Sequence, residues 1–325
     1  MKRIVLVLGA GASNAFNSKM ELGSDLTEGI CSRVFREPAP YLSKVLLAAG
    51  YDPIILDSYR EDLTEYIRKK RDAKKSYSID DFMEQYEHKQ SYLDITKMMI
   101  LLHVLGYEGP CLSDATFLKD TWLTELDKYL SAHHILSNEN HKLEFNIVTF
   151  NYDRLVEEFL FRKNGHLVED FCDKHVHHVY GKVSHLPWQN KVLKRFFDKN
   201  ELAPYIHFGH PNYDYKNVQL YSTGINLIYE RSQITNVLFK CAISNADTVL
   251  FMGFGFDEKN LEVLGITSMK TETLKGKKWI AHVYGCHNPH IENLRQTMFH
   301  GLLQTVYKRD CTEFIQQELG REFIS

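Results

Sequence analysis

The chain has 325 residues, of which 44% are hydrophobic and 25% charged, and its formal net charge is −3 with histidine neutral. That balance suits a folded protein with a large core and gives no global basic field for direct nucleic-acid binding. No apolar run approaches the roughly 20 residues that span a bilayer, and the six cysteines are too scattered for a C-x-x-C pair, which argues against a zinc ribbon and a thioredoxin-type motif.

Residues 3–9 read as a short β-branched strand bounded by glycine, the pattern of a strand buried on both faces. A strand at the start with no cleavage region after it does not read as a signal peptide, so the expected location is the cytoplasm, with no membrane association. A long and mostly helical stretch follows to about residue 140, with apolar residues at three- and four-residue spacing over 57–73, 78–107 and 115–136. Ser78 and Asp81 have the spacing of a helix N-cap, and the basic run "RKKRDAKK" at 68–75 reads as a solvated helix face. The α/β pattern returns with a strand at 145–150 and a helix at 154–161, in which Leu155, Val156, Phe159 and Leu160 share a face. "HVHHVYG" at 175–181 reads as a further short strand, and 182–222 as a loop-rich insert. "ADTVLFMGFGFDEKNLEVLGI" (246–266) is again strand, glycine turn and helix, and two more strand–helix alternations, from 277 and from 302, close the pattern. Alternating buried strands and helices predict an α/β, Rossmann-like, mainly parallel sheet with helices on both faces. The expected organisation is a single domain over 1–325, a mostly helical insert at 14–142 and the loop-rich insert at 182–222.

Three stretches carry candidate chemistry. In "GAGAS", Gly9 permits a tight turn and Gly11 lets the backbone approach a phosphate, at a helix N-terminus with free N–H groups. Ser13 adds a hydroxyl donor, and the residues expected to bind a nucleotide here are Gly9, Ala10, Gly11, Ala12 and Ser13. The third glycine of a dinucleotide fingerprint is missing, since Asn14 stands there, and no Lys-Ser or Lys-Thr pair follows for a triphosphate site. No acidic residue for a ribose has an obvious place about 20 residues on, which disfavours an ordinary dehydrogenase. "TFNYD" (149–153) stands at the carboxyl end of a predicted strand, where ligands of open α/β sheets bind, although Asp153 as a helix cap and Asn151 as a turn former explain it as well. Gly253, Phe254, Gly255, Asp257 and Asn260 repeat the strand-end glycine turn, and Asp257 again reads equally as a cap.

In this order, Gly9-Ala-Gly-Ala-Ser13, Thr149-x-Asn151-x-Asp153, a His-containing strand ending at Gly181, and Gly253-Phe-Gly255-Phe-x-Glu258-x-Asn260-Leu261 resemble the sirtuin-like domains of prokaryotic defence proteins. "SIDDFME" at 78–84 is similar to a helix common there, and the resemblance runs from residue 4 to about 265. It implies NAD as a substrate, cleaved to nicotinamide and ADP-ribose in an anti-phage abortive response, with no metal. It further implies that the glycine loop, Ser13 and Thr149 contact the dinucleotide and that Asn151 orients the ribose or the attacking water. Asp153 would hold Asn151 or its loop, and the turn carrying Gly253, Phe254, Gly255 and Asp257 would approach the adenosine half. A homo-oligomer and a hexameric translocase-type ATPase partner are expected from the same resemblance.

The family's catalytic histidine directly precedes the glycine of the third motif, and here Tyr180 holds that place. His178 is two residues earlier, a spacing that on a strand puts it on the face of Tyr180, so it is the expected substitute, with His185 a second candidate. Tyr180 itself is a poor base near neutral pH, because an unperturbed tyrosine titrates near 10. A satisfied core histidine is the competing reading of His178, and His175 and His177 with Asp173 form a conceivable metal set. Two functions therefore stand: an NAD glycohydrolase, without the four-cysteine zinc module of a sirtuin deacetylase, and a non-catalytic module that senses NAD or ADP-ribose.

Overall fold

The computed structural model describes residues 1–18, 20, 23–35, 46–75, 77–112, 119–137, 142–189, 205–209, 218–227, 230, 233–283, 289–307 and 310–321. Residues 115–118 of one expected helix, Cys286, and 190–204 and 210–217 of the expected loop-rich insert lie outside them. The described chain runs β1 (Lys2–Leu8), α1 (Ala10–Phe16), α2 (Gly23–Phe35), α3 (Pro53–Asp72), α4 (Ile79–Gln85), α5 (Gln90–Glu108), α6 (Trp122–Ala132) and β2 (Leu143–Thr149). It continues through α7 (Leu155–Asn164), α8 (Glu169–His175), β3 (Val176–His178), α9 (Val218–Ser222), α10 (Gln233–Asn245), β4 (Thr248–Met252), α11 (Glu258–Val263) and α12 (Thr271–Lys275). β5 (Lys278–Val283), α13 (Pro289–Thr297), β6 (Leu303–Tyr307) and α14 (Cys311–Arg321) complete it.

All six strands are parallel, in the order β3-β2-β1-β4-β5-β6, the doubly wound arrangement that the alternation predicts. β1 is its centre, and residues Ile4 to Leu8 are at most 1% exposed. Their alternation divides the core. Val5 and Val7 pack with Tyr59, Phe82, Met98 and Leu101 of the helices between β1 and β2, and with Phe239 of α10. Ile4, Leu6 and Leu8 pack on the other face with Trp122 of α6, Phe159 of α7 and Phe314 of α14. Such strands are apolar throughout because both faces meet helices.

Local chemistry sets the helix ends. Asp52 accepts from Ile54 N at 2.8 Å and Pro53 opens α3, while Lys69, Lys70 and Arg71 occupy its last turn, where cations complement the dipole. The basic run is thus the solvated end of α3, and Arg68 pairs there with Glu65 and Asp72. Ser78 Oγ caps α4 by accepting from Asp81 N at 3.0 Å, the N-cap that the spacing predicts. The expected strand at 175–181 is much shorter: β3 stops at His178, Val179 and Tyr180 form a turn, and Gly181 has φ +70°. Residues 169–175, unassigned in the sequence reading apart from His175, form α8.

A buried ion pair ties these layers together. Arg154, the residue before α7, donates Nη2 to Glu108 Oε2 at 2.5 Å and Nε to Glu108 Oε1 at 3.1 Å, with both side chains wholly buried. Its backbone N also donates to Glu108 Oε1, and its Nη1 to the Ile206 carbonyl at 2.6 Å. The end of α5 is thereby bound to the segment that follows β2.

Candidate active site

Because β1 pairs with β2 on one side and β4 on the other, the carboxyl ends of these three strands stand together. The chain order reverses at β1, and open parallel sheets place ligands in the crevice at such a reversal. Two glycine turns meet there. Gly11 N donates to the Gly253 carbonyl at 3.0 Å, and Gly9 N to the Met252 carbonyl at 3.1 Å. A Cβ on Gly9 would stand 2.4 Å from Gly253 O, one on Gly11 2.8 Å from Gly253 Cα, and one on Gly253 2.0 Å from Ala12 N. Gly253 also has φ +61°, the left-handed region that favours glycine. These three glycines let two backbones touch. That corrects the expectation that Gly11 is bare to admit a phosphate, because its N–H and the space beside it are taken by the second turn. Gly255 differs: it is exposed, and nothing lies within 4 Å of where its Cβ would be.

Past β2, Thr149 Oγ1 accepts from Asn151 N at 3.1 Å and so shapes the turn. Asn151 Nδ2 donates to the Gly9 carbonyl at 3.1 Å and to Ser13 Oγ at 2.8 Å. The Ser13 hydroxyl donates onward to Asp153 Oδ2 at 2.9 Å, and Asp153 Oδ1 accepts from Leu155 N at the start of α7. Ser13 thus joins Asn151 and Asp153, about 140 residues away in sequence, in one hydrogen-bonded chain across the crest. A carbonyl only accepts, so the Gly9 contact fixes the amide with its nitrogen inward. Asn151 Oδ1 is left without a protein partner among the described residues, on a half-buried side chain. Burial pushes the Asp153 carboxyl up to about 6, against the opposing pull of the Ser13 hydroxyl.

The other expected contacts are turned inward or serve as caps. Ala12 and Thr149 are buried, and Ala12 O accepts from Trp122 Nε1 at 2.9 Å. Phe254 is 6% exposed and packs on Phe150 and Phe256, with ring centroids 5.0 Å apart in each pair. Asp257 accepts from Lys259 N at 2.9 Å as the cap of α11. Ala10, the first residue of α1, is half-buried.

His178 does not share a face with Tyr180. The strand ends at His178, and the turn that follows sends Tyr180 to the opposite side of the sheet, which overturns the two-residue argument. Tyr180 joins the core that holds Phe254, lies edge-on to Phe150, and donates its hydroxyl to Asn260 Oδ1. His178 points toward α7, with Nδ1 2.9 Å from the Asn151 carbonyl and Nε2 3.0 Å from Glu157 Oε1. Both ring nitrogens therefore face protein acceptors, and neither is directed into the crest. Glu157 also accepts from Lys182 Nζ at 2.7 Å. Burial opposes the Glu157 charge, but Lys182 and His178 together hold its carboxyl well below the usual range.

Behind this group is a cavity of about 260 Å³ lined by Cys172, Asp173, His178, Lys182, His185 and Trp188, among others. Burial lowers the His185 imidazole to about 4, so it is neutral at physiological pH, and it lines this cavity. The conceivable metal set does not assemble. His175 Nδ1 is 3.1 Å from Asn146 Oδ1, His177 packs edge-on to Phe239, and no group of three ligating side chains gathers among the described residues.

Glu157, Lys182, Glu108 and Arg154 were not singled out from sequence. Glu157 has one signal, a carboxylate in the first turn of a predicted helix, which suits the dipole. The Glu108–Arg154 pair has none.

No protein-family model and no curated protein matches the chain. Among solved structures it is similar to Sir2Tm bound to a propionylated peptide, at 14% identity over 100% of this chain and 94% of that one, with a TM-score of 0.38. A Sir2 mutant with a p53 peptide and NAD matches at 14% identity over 100% and 94%, TM-score 0.37. A structure titled as the structural basis for sirtuin substrate affinity matches at 16% over 99% and 94%, TM-score 0.35. No helix among the described residues is long and apolar enough to cross a membrane.

Proposed function

We propose that the chain binds NAD across the carboxyl ends of β1, β2 and β4 and hydrolyses its nicotinamide–ribose bond. One observation carries this reading: an asparagine amide locked from behind by Gly9 and Ser13, with its oxygen unpartnered at the switch point of a doubly wound sheet. The reaction asks little acid help, since nicotinamide leaves as a neutral group. What it needs is a fixed polar atom beside the ribose and a positioned water as positive charge develops at the sugar. Asn151 Oδ1 is that atom, accepting from a ribose hydroxyl or from the water. Asp153 acts through Ser13, whose hydroxyl it orients. The diphosphate runs past Gly255, where the backbone is open. The sequence resemblance adds the setting: an abortive anti-phage response in the cytoplasm, a homo-oligomer and a hexameric ATPase neighbour.

A second reading, a sensor that holds NAD or ADP-ribose without turnover, is favoured by one feature: Tyr180 stands where the resemblance expects an imidazole, and His178 is turned away. Incubation of the purified protein with NAD, alone and with the ATPase, with nicotinamide followed by chromatography, separates the two. Nicotinamide release that is lost in Asn151→Ala supports the enzyme. Binding without release supports the sensor.

A further inference from the structure

We infer that His178, gripped by Glu157, is a positioning residue that fixes the Asn151 amide by holding its backbone carbonyl. This rests on the reading of Asn151 as the polar atom beside the ribose. Asn151 lies in the segment between β2 and α7, where no sheet ladder fixes its carbonyl. The His178 Nδ1 contact at 2.9 Å removes that freedom, and the ring is aimed in turn by Glu157 at 3.0 Å. Glu157 is 1% exposed and anchored by Lys182 Nζ, itself bonded to Gln189 Oε1 at 3.3 Å. Asn151 is thus held from two directions, its side chain by Gly9 and Ser13 and its main chain by His178. A carboxylate that orients an imidazole, which in turn orients the working group, is a recurrent means of holding a site to small tolerances. The assignment also explains a histidine so near the crest whose two ring nitrogens are both turned to protein acceptors.

Two isosteres divide the role. An asparagine at 178 places its amide nitrogen near the former Nδ1 and still reaches the Asn151 carbonyl. A glutamine places its nitrogen near the former Nε2 and reaches only Glu157. In His178→Asn, nicotinamide release is rescued to within about 3-fold of wild type. In His178→Gln, kcat falls on the order of 10- to 100-fold, as for a misplaced group, while the Kd for NAD changes little. The second readout needs no turnover: exchange of the Asn151 side-chain amide protons by NMR, assigned by their loss in Asn151→Ala. Protection persists in His178→Asn and is lost in His178→Gln. Equal loss of kcat in both variants would assign the imidazole a direct chemical role and overturn the inference, as would equal protection of the amide in His178→Gln and wild type. If the wild type releases no nicotinamide, the NAD-cleavage reading fails, and the amide exchange alone decides the positioning role.

Discussion

Removing the Glu108 charge in Glu108→Gln leaves Arg154 as an uncompensated buried cation. Neither side chain has any exposure, so water cannot take the place of the lost carboxylate. The glutamine oxygen can still accept from Arg154 Nε, but its nitrogen then faces Nη2, a donor against a donor where 2.5 Å now separates donor and acceptor. Breaking a buried pair in this way costs about 3–5 kcal/mol. With a urea slope of about 3 kcal/mol per molar, the unfolding midpoint moves down by about 1–2 M. The double variant Glu108→Leu with Arg154→Met removes both charges, so it recovers part of the loss. It does not recover all, because the Ile206 carbonyl and Gly209 N lose their partners, at about 1–3 kcal/mol for each orphaned group. Equilibrium urea unfolding of wild type, Glu108→Leu, Arg154→Met and the double variant closes the cycle. A Glu108→Gln midpoint within about 0.3 M of wild type, about 1 kcal/mol on that slope, would refute the argument, as would a double variant less stable than the two single losses combined.

The two glycine turns predict opposite outcomes: Gly253→Ala loses more than about 3 kcal/mol or fails to fold, because its methyl group meets Ala12 N at 2.0 Å. Gly255→Ala changes stability by less than about 1 kcal/mol and instead weakens NAD binding, as read by calorimetry. Asp153 gives a pH signature. Its folded carboxyl titrates at about 6 and its unfolded one near 3.8, so between these values the folded state holds the extra proton and stability falls as pH rises, by about 1.4 kcal/mol per unit. Asp153→Asn removes that slope, and a difference between wild type and variant that is flat from pH 4 to 6 would refute it. Lys259→Ala, which removes half-exposed contacts to Asp81 and Glu84, costs less than about 1 kcal/mol by thermal unfolding.

The sheet was legible because buried parallel strands leave continuous apolar runs, and glycine turns mark their carboxyl ends. Ser13, Asn151 and Asp153 could be placed at one sheet edge on that ground alone. Their hydrogen-bond order could not, since it depends on the angle at which two turns meet. β3 is read too long because Val179 and Tyr180 are as strand-prone as the residues before them, and the one turn former, Gly181, comes three residues after the strand has ended. The space expected beside Gly11 was misplaced for a related reason. A bare glycine admits a close neighbour, and sequence does not say whether that neighbour is a ligand or another stretch of backbone. The Glu108–Arg154 pair was invisible because nothing in either residue's local pattern distinguishes a buried ion from a solvated one.

The contact between the turns at Gly9–Gly11 and Gly253 also orders events during synthesis. β1 leaves the ribosome well before its neighbour β4, which begins 244 positions later, at Thr248 against Ile4. The crest therefore has no finished form until β4 has been made. A nascent chain short of that point exposes one flank of its most apolar strand, a state prone to association. Closing so long a loop also places this fold among slowly folding topologies. A chain cut before β4 would keep Ser13, Asn151 and Asp153 and yet lack the wall against which their loops are set.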